Sequence, residues 1–139
     1  MINSRDIRDL NSKVANMARD FIDACAAEDI HILITSTFRD AESQTALYAQ
    51  GRTRPGPIVT HAKAGQSWHN YRCAFDFVPL VNGKAQWEDT HTFEKCGQIA
   101  ESVGLEWAGR WKGSMREMCH CQYTGGLSLA DLQSGKKIG

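Results

Sequence analysis

Val14, Met17, Ala18, Phe21, Ile22 and Cys25 recur at spacings of three and four, the stripe of an amphipathic helix. Ser12 is placed to cap it, and the helix is expected to run to about Glu28. Ile30-His31-Ile32-Leu33-Ile34 is a β-branched run and reads as a buried strand. Asp40 then caps a short helix, Ala41–Gln50, with Gly51 as its stop. From Gly51 to Gln66 the pattern dissolves into Gly, Pro and basic residues, a loop of the kind that carries sites on a rigid scaffold.

The apolar pattern resumes at Cys73–Val81, read as a second buried strand. Asn82-Gly83 is a strong hairpin signal and predicts a return strand, Lys84–Trp87. Thr92 is the expected cap of a helix to Val103, with Phe93, Cys96, Gly97, Ala100 and Val103 on one side and Gly104 ending it. Leu105-Glu106-Trp107 reads as a short strand or turn, Met118–Tyr123 as a strand, and Ser128 as the cap of a last helix through about Gln133. These elements predict an α+β fold: a small, mainly antiparallel sheet flanked by helices. With no repeat, low-complexity stretch or linker, residues 1–139 are expected to form a single domain.

Composition changes this picture little. Apolar residues at 42% and charged residues at 23% are ordinary for a globular chain. A formal net charge of zero removes any long-range attraction to nucleic acid or an anionic membrane. Met1–Asp6 is polar and precedes no apolar run, so neither a secretion signal nor a membrane span is expected. The expectation is a monomer made in the cytoplasm. Five cysteines at irregular spacing read as free thiols rather than a disulfide framework.

The candidate chemistry lies in Ser67–Phe77 and Glu117–His120. Asp76 interrupts an apolar strand, and a buried carboxylate needs a partner. His69 stands seven residues earlier, so it belongs in the turn before the strand rather than on the strand's opposite face. His120 points inward from its own strand, with Glu117 at the turn entering it. Imidazole, carboxylate and imidazole are a zinc ligand set that leaves the open position catalysis requires. Water activated at such an ion becomes a nucleophile near neutral pH, and the unligated Glu117 is the proton carrier. Arg39, after the first strand, is the candidate for stabilising an oxyanion or clamping a carboxylate. Ser67 is a candidate for orienting a ligand or the substrate.

Other readings stand beside these. Asp76 could form a buried ion pair with Arg72 or Arg39. His31, His61 and His91 read as surface or satisfied core residues. Cys119-His120-Cys121 resembles a metal patch, but strand alternation turns both cysteines away from whatever His120 faces. On spacing alone, zinc and the ion pair remain open alternatives.

Ser67-x-His69-x-x-Arg72-x-Ala74-x-Asp76 with Glu117-x-x-His120 resembles the paired signature of LAS-type zinc peptidases. That group includes VanY-like D-alanyl-D-alanine carboxypeptidases, phage L-alanyl-D-glutamate endopeptidases and the hedgehog domain. Thr35–Arg39 with Gln44, Leu47–Thr53, Val81–Lys84 and Gly104–Gly109 look like the phage endolysin branch. The resemblance implies His69, Asp76 and His120 as Zn2+ ligands, Glu117 as general base, and Arg39, Ser67 and Gln44 as substrate contacts. It also implies a peptidoglycan stem peptide as partner, and an endolysin stored in the cytoplasm until it is released onto the wall. Two positions depart from the pattern: Arg72 stands where glycine is usual, and Glu117 where many phage endopeptidases carry aspartate.

Overall fold

In the computed structural model, which describes residues 1–138, the first apolar stripe forms helix α1 (Ser12–Ala27). Its cap is Asn11 rather than Ser12: the Asn11 side chain accepts hydrogen bonds from the Lys13 and Val14 amides. Strand β1 (His31–Ser36) follows, then α2 (Ala41–Ala49), capped by Asp40 as expected. Strand β2 (Ala74–Val81) turns through Asn82-Gly83 into β3 (Lys84–Ala85). Asn82 and Gly83 both have positive φ, 53° and 76°, as a primed hairpin turn demands. The return strand stops short of Trp87: the Gln86 amide makes a last bond to the Pro79 carbonyl at 2.9 Å, and the Asp89 amide then turns back onto the Gln86 carbonyl.

Helix α3 (Thr90–Ser102) begins before Thr92, since Asp89 supplies the cap by accepting from the Thr92 amide and hydroxyl. Strand β4 (Glu106–Trp107), strand β5 (His120–Gln122) and helix α4 (Leu129–Gln133) complete the order. The sheet runs β1-β2-β5-β4, wholly antiparallel, with β3 on the far end of β2.

Strand alternation divides the two faces of β2. Phe75 and Phe77 are fully buried against Phe21 of α1, with ring centroids 5.7 and 5.0 Å away, and Phe77 also meets Phe93 of α3 at 5.5 Å. Each such ring contributes about 1.5–3 kcal/mol by leaving water. Cys25, Cys96 and Cys121 join this core as free thiols, as expected. Asp76 projects from the opposite face.

Trp107 ties the core to the later site. Its ring lies so close to Gly97 and Gly109 that a Cβ at either would sit 2.1 Å from it, and its Nε1 donates to the Met118 carbonyl at 2.8 Å.

Candidate metal centre

Register brings the chemistry together. Ser36, Asp76 and His120 are cross-strand neighbours on β1, β2 and β5. His69 arrives from a 3-10 turn, Trp68–Tyr71, capped by the Ser67 hydroxyl, and not from the strand. Asp76 Oδ1 lies 3.3 Å from His69 Nε2 and 3.2 Å from His120 Nδ1, and the three donor atoms all lie within 4.8 Å of one another. Two ligands about 2.0–2.1 Å from a tetrahedral ion stand about 3.3–3.4 Å apart. The donor set and its spacing therefore fit one zinc-sized ion.

Each imidazole has its other nitrogen engaged. His69 Nδ1 donates to the Thr37 carbonyl at 2.8 Å, leaving Nε2 with the free lone pair. His120 Nε2 lies 2.8 Å from the Gln122 amide oxygen. Burial by itself would raise the Asp76 carboxyl, but His69 and His120 outweigh it and hold the group well below the usual carboxylate range. Burial works to lower His120 as well, and the carboxylate bonded to its ring reverses that and raises it above 6.5.

Arg39 borders the same space. Its guanidinium donates to Gln44 at 3.0 Å and to Ser36 at 3.2 Å, and comes within 4.0 Å of Asp76. Burial lowers its pKa while Asp76 and Glu117 work against that, and a guanidinium keeps its charge throughout. Arg72 is not the partner of Asp76. It donates to the Asp9 carbonyl at 2.7 Å and stacks 3.9 Å over Phe38. Its φ of 64° is left-handed, which accounts for the family's usual glycine there.

The centre opens into a groove of about 610 Å3 lined by Arg39, Ser67, Trp111, Met115 and Glu117 among others. Glu117 is exposed, with a carboxylate oxygen within 4.8 Å of the Asp76 carboxylate and the Cys119 sulfur.

A family model described as VanY: D-alanyl-D-alanine carboxypeptidase matches residues 7–126. The chain belongs to the VanY family of peptidases. Over 113 residues it is 37% identical to the peptidoglycan L-alanyl-D-glutamate endopeptidase CwlK of Bacillus subtilis, covering 75% of this chain and 68% of that one. Among solved structures it resembles the L-Ala D-Glu endopeptidase ChiX of Serratia marcescens, with a TM-score of 0.65 at 17% identity over 89% of this chain and 90% of that one. A vancomycin-resistance D,D-pentapeptidase VanY, solved with Zn(II), matches with a TM-score of 0.65 at 14% identity, over 93% and 80% of the two chains. These likenesses show the small antiparallel sheet and helices of the VanY peptidase fold.

Within this VanY-family chain, His69, Asp76, His120, Glu117, Arg39 and Ser67 all border one space. Gln44 does not. It is fully buried outside the groove lining, with its oxygen accepting from Arg39 and its amide donating to the Ala62 carbonyl at 2.7 Å, so it holds Arg39 in place.

Cys119 also departs from expectation. β5 begins only at His120, so Cys119 occupies the turn before it and alternation does not apply. Its sulfur sits beside Asp76 and Glu117, and burial with those two charges pushes the thiol well up, leaving it neutral. Cys121 does face the core. Sequence reasoning passed over Trp111, Glu106 and Gln122; the only available signal was that Gln122 shares the strand face of His120 two residues before it.

Proposed function

We propose that this protein is a zinc-dependent peptidase that hydrolyses the stem peptide of peptidoglycan at the L-alanyl-D-glutamate bond. The observation that carries the reading is the convergence of His69 Nε2, Asp76 Oδ1 and His120 Nδ1 at ligand spacing, beside an unligated Glu117 and an open groove. His69, Asp76 and His120 would hold the ion, which supplies Lewis acidity for polarising water and a peptide carbonyl.

The side chains do the rest. Glu117, exposed on the groove, takes a proton from the attacking water and returns it to the departing amine, work of about two to four orders of magnitude. Arg39, fixed by Gln44 and Ser36, presents positive charge to the oxyanion or to a stem-peptide carboxylate. Ser67 holds the His69 turn, its hydroxyl accepting from the His69 amide at 3.3 Å.

The endopeptidase bond is favoured by the 37% identity to CwlK. The stretches that resemble phage endolysins favour a lysin acting on the wall after release, and the reading takes it as a monomer of one domain. A second reading, removal of the terminal D-alanine, is favoured by the glutamate at 117 and by the family model's own description. Mass spectrometry of purified peptidoglycan digests separates the two. New amino groups on D-glutamate support the endopeptidase, whereas loss of a single D-alanine supports the carboxypeptidase. No product in either position would contradict both.

A further inference from the structure

An imidazole that serves a metal through Nδ1 must carry its hydrogen on Nε2. For His120 that hydrogen is directed by a chain of two further side chains. His120 Nε2 lies 2.8 Å from Gln122 Oε1, and Gln122 Nε2 lies 2.9 Å from Glu106 Oε2. Glu106 Oε1 in turn accepts from Trp111 Nε1 at 3.3 Å. Strand register builds this arrangement. Glu106 and Gln122 stand opposite each other on β4 and β5, as Asp76 and His120 do on β2 and β5.

The order of donors and acceptors along the chain has one solution. A carboxylate only accepts, so Glu106 takes the NH2 end of Gln122. The buried Gln122 then has only its oxygen left for His120, and an oxygen there requires hydrogen on Nε2. In the neutral imidazole, the form that binds metal, the lone pair then falls on Nδ1, 3.2 Å from Asp76 Oδ1.

We propose that Glu106, acting through Gln122, is a positioning residue that fixes the His120 tautomer for metal binding at Nδ1. The same carboxylate holds Trp111, whose ring centroid is 5.7 Å from that of His120, so one residue sets both a metal ligand and a wall of the groove. The inference rests on the proposed metal centre.

Zinc affinity of the full chain, measured by chelator competition, tests it. Loss of an outer partner of a metal-bound histidine lowers metal affinity by about 10–100-fold. Gln122→Met, close in shape and without the acceptor, is expected to fall within that range. Glu106→Gln, which faces Gln122 with a second amide, is expected to lose about tenfold.

The exchange Glu106→Gln with Gln122→Glu restores the alternation. The new glutamate accepts from both His120 and the new glutamine, whose oxygen still accepts from Trp111. The double variant is therefore expected to bind zinc within a few-fold of wild type. Melting of the metal-free variants checks that each is folded.

Wild-type affinity in Gln122→Met, or a double variant no better than Glu106→Gln alone, would overturn the relay while leaving the metal centre intact. A wild-type chain that binds no zinc would overturn both.

Discussion

Asp76 and His120 face each other across β2 and β5, with the His120 Nδ1 3.2 Å from the Asp76 Oδ1. The contact joins a residue of the central strand to one that follows it by 44 positions. No local preference brings them together; the sheet register does. Asp76→Ala is therefore expected to abolish stoichiometric zinc binding while the Phe75 and Phe77 face of the strand keeps the fold. Metal analysis after dialysis checks this, and full zinc occupancy in the variant would remove Asp76 from the ligand set.

Glu117 touches no donor of the centre through a hydrogen bond and projects from an exposed turn. Glu117→Ala is expected to retain zinc and lose about two to four orders of magnitude in wall hydrolysis. Parallel zinc and turnover measurements decide between base and ligand, since a ligand would lose both.

Arg39 is held by two side chains in a geometry that an ammonium cannot reproduce. Arg39→Lys is expected to lower kcat/KM by about 10²–10³-fold, the worth of one oxyanion donor, with zinc content unchanged. Steady-state kinetics on a stem-peptide substrate reads the effect.

The pKa shifts give the metal-free protein a defined pH response. Asp76 is depressed by its imidazole partners, so its contribution to stability is present above pH 3.8 and is lost as pH falls towards its folded value. His120 is raised, so its contribution is complete below pH 6.5 and is lost as pH rises through the folded value. Protons therefore compete with metal at His120, and zinc affinity is expected to climb as pH rises from 6 to 8. Chelator competition across that window measures the slope, and thermal melting of the metal-free protein should show the opposite trend.

Gly97 abuts the Trp107 ring, and a Cβ there would sit 2.1 Å from it. Gly97→Ala is expected to destabilise by about 1–3 kcal/mol or more through overpacking. Denaturant unfolding measures the loss. The displaced Trp107 would also release its bond to the Met118 carbonyl, just ahead of His120.

Much of this was legible in the chain. The α1 stripe, the Asn82-Gly83 turn and the alternation that sends Phe75 and Phe77 into the core and Asp76 to the opposite face follow from local geometry, and the structure shows all three. The caps were displaced by one residue at Asn11 and by three at Asp89, because neighbouring polar side chains compete for the same amides. Three features of the site depend on information the sequence order does not carry. Gln44 is buried because Arg39 and the Ala62 carbonyl close over it. Cys119 escapes alternation because β5 starts at His120, two residues after the expected Met118. The partnership of Glu106 with Gln122 exists only once β4 and β5 are in register.

X-ray absorption of the zinc-loaded protein tests the ligand set most directly. Two imidazole nitrogens and carboxylate or water oxygens are expected at about 2.0–2.1 Å, with no sulfur. A sulfur shell at about 2.3 Å would assign the ion to Cys119 or Cys121 and contradict the centre formed by His69, Asp76 and His120.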